Sequence, residues 1–220
     1  MILRAAVVLA IVLAAVPSAA QTGTTISIRP FIDVTEDAFA ATRAFDAVFG
    51  KTAAPFFGGG VQVTIADRFF VEVGASRKTL AGDRVFVVNN DVFHLGIPLR
   101  ATLTPIAFTG GYRFVVLRHG DPIEWLRPYV GGGLERYNYD EKCAAAPAAC
   151  TAIGGDFSAA HSGFVLNGGT EFRLHRWVGV SADIEYSRVT GIIGTGGASQ
   201  AFSESDLGGV GGRFRVIVGR

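Results

Sequence analysis

Two cysteines and four histidines are the residues of this chain with the most distinctive side-chain chemistry. Cys143 and Cys150 enclose Ala-Ala-Ala-Pro-Ala-Ala. A metal centre requires more ligands than this pair, and the nearest histidine is His161, so in an exported chain the spacing reads as a local disulfide. The histidines are His94, His119, His161 and His175, and His161 stands directly before Ser162. A base beside a hydroxyl suggests nucleophilic catalysis, but adjacent residues of a strand point to opposite faces and do not form a dyad. No Gly-x-Ser-x-Gly elbow accompanies them. A third set is ionic: Arg29, Asp33, Glu72, Arg113, Glu135, Glu171, Arg173, Asp183, Glu185, Arg213 and Arg215. If one face of a sheet gathers these residues, they form a conduction path, a binding site or a self-neutralising plug. Five arginines against six acids favour the plug. No catalytic, cofactor-binding or metal-binding residues are expected.

Hydropathy with a period of two marks the elements that position these groups. Ile26, Ile28, Ile32 and Val34 alternate with Ser27, Arg29 and Asp33, and Val71, Val73 and Ala75 alternate with Glu72 and Gly74. Val180, Ala182, Ile184 and Tyr186 alternate with Ser181, Asp183 and Glu185. Eight strands are predicted, at about 24–35, 57–66, 69–78, 100–115, 126–138, 161–174, 177–189 and 207–219. Their connections differ by end. Ala66-Asp67-Arg68 and His175-Arg176 are short turns, and a moderate one surrounds Gly120-Asp121-Pro122. The segments 36–56, 79–99, 139–160 and 190–206 are long. Within them, 36–49 suggests a short helix through Phe39, Phe45 and Phe49, Asn89-Asn90 suggests a hairpin turn, and the glycine-rich 191–200 suggests a mobile stretch. Short turns at one end and long loops at the other characterise an up-and-down barrel that crosses an outer membrane, and the strands have the roughly 9–11 residues such a crossing requires.

Alternation alone also suits a soluble barrel with its apolar face inward. The charge types separate the two. The chain has 17 arginines and only three lysines, Lys51, Lys78 and Lys142, all in or beside the long segments. Arginine suits charges paired at fixed geometry in dry surroundings, whereas a water-facing sheet ordinarily carries several lysines. Three echoes, Gly110-Gly111-Tyr112-Arg113-Phe114, Gly168-Gly169-Thr170-Glu171-Phe172-Arg173 and Gly211-Gly212-Arg213-Phe214-Arg215, place an aromatic beside an arginine near the short-turn end. That pattern sets a girdle at the bilayer boundary and a charge in the lumen. In the hairpin around 190–206, facing residue numbers sum to about 396, which sets Asp183 opposite Arg213 and Ser181 opposite Arg215.

The amino terminus reads as a secretory signal: Arg4, an apolar run from Ala5 to Val16, and Ser18-Ala19-Ala20 before the cleavage point. Residues 1–20 are thus expected to be removed and 21–220 to form the barrel domain. The formal charge of +1 gives no excess to neutralise nucleic acid phosphates, and a mean hydropathy of +0.36 excludes a disordered chain.

The signal, the eight alternating strands, the turn asymmetry and the final Gly211-Gly212-Arg213-Phe214-Arg215-Val216-Ile217-Val218 resemble the small outer-membrane β-barrel proteins of Gram-negative bacteria, of OmpA/OmpX-like architecture. The resemblance implies an all-β, eight-stranded antiparallel up-and-down transmembrane barrel with short periplasmic turns and long extracellular loops. It also implies a non-enzymatic structural or interaction role, outer-membrane lipids as surroundings, the barrel-assembly machinery as a partner in biogenesis and an unknown surface partner. Members of that class usually end in an aromatic residue read by that machinery, whereas this sequence ends Val218-Gly219-Arg220. Some barrels of this class modify lipid A through histidine and serine, so a lipid-modifying enzyme stands as the alternative, beside a soluble periplasmic ligand-binding barrel.

Overall fold

The computed structural model describes residues 25–118, 121–122, 125–145, 150 and 155–219. The signal segment 1–20 and His119 lie outside them. Eight antiparallel strands close a barrel: β1 (Ile26–Phe39), β2 (Ala53–Ile65), β3 (Phe69–Val88), β4 (Asp91–Arg113), β5 (Leu126–Cys143), β6 (Phe157–His175), β7 (Val178–Arg188) and β8 (Gly209–Val218). Each strand pairs with its sequence neighbours, and β1 pairs with β8 to complete the ring. Closure leaves no open edge along the paired length, which is the condition for a sheet to cross lipid.

Through the membrane span the pleat sets apolar residues outward and polar ones inward. Ile28 and Ile32 of β1, Val71 and Val73 of β3, Ile106 and Phe108 of β4, Leu166 of β6 and Ile184 of β7 are all exposed on the outer wall. Their strand neighbours Arg29, Glu72, Thr109, Asn167 and Asp183 are buried in the lumen. Aromatic residues mark the short-turn end: Phe69 packs edge-on against Tyr112, Tyr112 against Phe114, and Trp125 stacks on Phe172.

Six of the eight strands run well past the lengths expected from alternation, all towards the long-loop end. There the polarity of the two faces inverts while the strands continue, with a register shift on β3 between Asp83 and Val85. On β4, Thr109 and Arg113 point inward near the short turns, but Leu99, Ala101 and Leu103 occupy the same inner face above them. Outward neighbours change from Ile106 and Phe108 to Thr104, Thr102 and Arg100. The same exchange occurs on β3, where Leu80 follows Glu72 on the inner face, and on β5, where Tyr137 and Tyr139 follow Glu135. The barrel is therefore a membrane protein below this level and folds like a water-soluble domain above it.

Two expectations for the long segments change accordingly. Residues 36–39 continue β1, and the helix is confined to α1 (Thr42–Phe49), whose Phe45 stacks on Phe39 at 4.2 Å. The stretch 191–200 is folded rather than loose: Ile192 and Ala198 are buried, and α2 (Gly197–Ala201) lies within it. Both join Phe56, Leu80, Leu103, Tyr137, Val189 and Leu207 in one apolar core. Asn89 and Asn90 do turn the β3–β4 hairpin, both with left-handed backbone (φ 50° and 72°), which suits a two-residue connection.

Candidate functional site

The lumen gathers side chains from all eight strands into one hydrogen-bonded cluster. Glu171 of β6 lies between Arg29 of β1 and Arg113 of β4. Arg29 Nη1 donates to its Oε2 at 3.0 Å, and Arg113 Nη2 lies 3.0 Å from the same oxygen. Gln62 of β2 accepts from Arg113 and donates through Nε2 to Glu72 Oε2 at 3.0 Å. Arg215 of β8 then bridges the barrel: Nη1 donates to Glu72 at 2.5 Å, Nε donates to Ser181 Oγ at 2.9 Å, and Nη2 lies 3.2 Å from Asp183 Oδ2. Tyr129 of β5 donates to the same Asp183 oxygen at 2.5 Å, and Arg213 Nε donates to Oδ1 at 2.9 Å. Arg213 also reaches Glu185 at 2.9 Å.

The fork of each guanidinium explains the choice of arginine, since one residue joins two or three acceptors on different strands. The β7–β8 register sets Asp183 opposite Arg213 and Ser181 opposite Arg215, the pairs whose numbers sum to 396. Of the eleven residues singled out in the sequence, eight come together here: Arg29, Glu72, Arg113, Glu171, Asp183, Glu185, Arg213 and Arg215. Three do not. Arg173 is half-buried at the short-turn end, and among the described residues the side-chain hydrogen bond of Asp33 is with Thr35 at 3.5 Å rather than with the cluster. Glu135 is buried, its Oε2 takes no hydrogen bond, and it lines a cavity of about 30 Å³, the space of a water molecule or so.

Sequence reasoning missed Gln62 and Tyr129. Both sit on the polar parity of their strands, but only charged residues had been gathered from it. It also missed Phe31 and Phe70, apolar side chains on the inner face. Their rings lie 5.4 Å from the Arg215 guanidinium carbon and 5.8 Å from that of Arg113, as cation–π neighbours.

Above the polar cluster, the apolar core supports a second compartment. A cavity of about 320 Å³ lies between α1, the 192–199 segment and the tops of β3 and β5, lined by Phe45, Phe49, Val85, Tyr139 and Ile192 among others. Arg84 and Glu141 form an ion pair at 3.2 Å in its wall, and Tyr139 donates to Glu141 at 3.0 Å. Burial, reinforced by the Glu141 carboxylate, pushes the Tyr139 phenol well above the ordinary tyrosine range. This volume is at the lower end of small-molecule sites.

The remaining candidates separate. His161 shares the pleat face of buried Val165, and Ser162 shares that of exposed Phe164, so the two diverge. Cys143 closes β5 and is disulfide-bonded to Cys150, with Cα atoms 5.7 Å apart. Leu99↔Cys143 is the last β4–β5 pair, beyond the membrane-spanning part. Replacing both cysteines by serine is therefore expected to leave insertion intact and to cost at most about 3 kcal/mol. The check is migration on SDS gels with and without heating, where a folded outer-membrane barrel shifts. Loss of the shift would show that the disulfide is needed for assembly.

The sequence profile of the family described as outer membrane protein beta-barrel domain matches residues 5–214. No curated protein sequence matches the chain. Among solved structures, the fold is similar to that of neisserial surface protein A, at 12% identity and a TM-score of 0.50, covering 89% of this chain and 98% of that one. The N-terminal β-barrel domain of Pseudomonas aeruginosa OprF aligns at 13% identity and a TM-score of 0.46, over 87% and 97% of the two chains. The attachment invasion locus protein of Yersinia pestis aligns at 12% identity and 0.43, over 89% and 96%.

Proposed function

The chain belongs to the outer membrane protein β-barrel family and resides in the outer membrane, and from that premise we propose that it is a non-enzymatic anchor for a rigid surface platform. Residues 1–20 direct export, and 21–220 form the domain that the barrel-assembly machinery inserts. The lumen is a structural plug, and the loop-side head meets a partner outside the cell.

The single observation that carries this reading is the inversion of polarity along β3, β4 and β5. Strands that only had to cross lipid have no use for Leu80, Leu103 and Tyr137 on their inner faces above the membrane. There these residues bury against α1 and the 189–207 segment, which turns long loops into a packed head. The plug is supported by ion pairs from opposite walls, such as Arg29–Glu171 and Arg215–Glu72, in a barrel of eight strands whose interior side chains can fill.

Two measurements on the full chain test both halves. In planar bilayers the protein is expected to give no steady ohmic conductance. Lipid A from cells producing it is expected to keep its mass. Porin-like steps would overturn the plug, and gain or loss of an acyl chain would overturn the non-enzymatic role.

A further inference from the structure

The outer wall carries a strip of cations where the faces invert. Arg136 on β5 and Arg77 on β3 flank β4: Arg136 stands level with Ala75 through Ile106, and Arg77 lies one outward step above Ala75. Three outward steps above Ile106, about 20 Å along the strand, Arg100 of β4 stands opposite Lys142 of β5 in register. All four side chains are exposed, and none forms an ion pair among the described residues. Like charges directly opposite each other weaken a sheet, yet no acid is placed between Arg100 and Lys142. Two acids stand diagonal to Arg100 on the same face: Asp140 of β5, which accepts from Ser158 Oγ on β6 at 2.5 Å, and Asp83 of β3, one outward step above Ala81. Around the ring the treatment differs: Arg188, at the same boundary on β7, is paired with Asp206 at 3.4 Å.

We propose that Arg77, Arg136, Arg100 and Lys142 form a binding strip for the phosphate-bearing headgroups of anionic lipids in the leaflet at the loop side. Position and chemistry agree. Below the strip the same three strands present Val71, Val73, Ile106, Phe108 and Leu134 outward, an apolar wall for acyl chains. A lipid whose phosphate sits at Arg77 and Arg136 therefore lays its chains along an existing surface. Adjacent strands are about 4.8 Å apart and rise about 3.3 Å per residue, so the two arginines stand two strand spacings apart across β4 and two residues apart along it. The planar guanidinium forks match phosphate oxygens, and Lys142 adds a point charge. The inference rests on reading the apolar wall as the membrane span.

The test is native mass spectrometry of the full-length barrel released from detergent with phosphatidylcholine, phosphatidylglycerol or lipid A. The wild type is expected to retain phosphatidylglycerol and lipid A preferentially. Arg77→Gln, Arg136→Gln, Arg100→Gln and Lys142→Gln together are expected to abolish that preference while leaving phosphatidylcholine adducts unchanged. Arg68→Gln, at the opposite end of the barrel, is expected to change neither. The two paired variants, Arg77→Gln with Arg136→Gln and Arg100→Gln with Lys142→Gln, give partial losses even if the quadruple variant fails to fold. Equal retention of all lipids by the wild type, or preference surviving in the folded variants, would overturn the strip. Competition by inorganic phosphate as effective as by lipid would also overturn it, in favour of a soluble-anion site. A heat shift on SDS gels separates these outcomes from failure of the barrel itself.

Discussion

Asp183→Leu is expected to destabilise the folded barrel by about 3–5 kcal/mol, the usual consequence of removing one partner from a buried ion pair. Asp183 is 6% exposed and takes contacts from three side chains on two strands: Arg213 Nε at 2.9 Å, Tyr129 OH at 2.5 Å and Arg215 Nη2 at 3.2 Å. Leucine removes all three acceptor interactions and leaves two guanidinium groups in the lumen with Glu72 and Glu185 as their remaining acids. Arg188→Leu provides the comparison. Its side chain is 58% exposed and its contact with Asp206 is 3.4 Å, so its loss is expected to cost at most about 1 kcal/mol. Asp183→Asn should fall between, because an amide oxygen still accepts from Tyr129 or Arg213 while the charge is lost. Urea unfolding in lipid vesicles measures all three. Equal midpoints for Asp183→Leu and Arg188→Leu would refute the central place given to Asp183.

The pairing of Asp183 with Arg213 was legible because antiparallel strands keep a constant sum of facing residue numbers. Once one hairpin is recognised, every partner along it follows, together with the face it shares. The contacts across the lumen were not legible in that way. Parity states that Glu171 and Arg29 point inward, but gives neither the height nor the angular position at which they meet. Asp33 and Glu135 show the same gap from the other side. Their inward faces follow from alternation, and their separation from the ion-paired cluster depends on barrel stagger, which no local pattern records.

The loop-side head escaped for a different reason. Alternation identifies a membrane strand by polar residues on one parity and apolar residues on the other. On β4 the parity of Arg113 and Thr109 becomes that of Leu103, Ala101 and Leu99, and on β5 that of Glu135 becomes that of Tyr137 and Tyr139. A strand whose polarity exchanges midway looks like one that has ended. The predicted ends at 78, 100, 138 and 161 therefore lie at or a few residues beyond the membrane boundary, while the hydrogen-bonded ladders continue to Val88, Asp91, Cys143 and Phe157. What the sequence marked was the extent of lipid contact, and the remaining residues form strands because they bury their other face.

Gly111→Val is expected to destabilise the barrel by at least about 1–3 kcal/mol, as overpacking of a filled interior does, and to reduce the yield of assembled protein. Gly111 lies on the inward parity of β4, where a Cβ would overlap both the Phe70 ring and the Val130 carbonyl oxygen. Phe70 is 2% exposed, sits edge-on to Tyr129 at 5.8 Å and stacks near Arg113, so it has no free direction in which to move. The strand therefore carries glycine at this position to admit an aromatic ring into a narrow polar lumen. Gly212, on the outward parity of β8, has no heavy atom within 4 Å of its would-be Cβ. Valine there is expected to change stability by no more than about 0.5 kcal/mol, as at an unencumbered surface site. Adding Phe70→Leu to Gly111→Val should recover part of the loss, because the ring contact is relieved while the Val130 carbonyl remains. Such recovery is the non-additivity expected of residues in contact. Urea midpoints of the four variants decide the matter. If Gly111→Val and Gly212→Val behave alike, the lumen is not packed around Phe70; if the double variant is simply additive, the clash lies with the backbone alone.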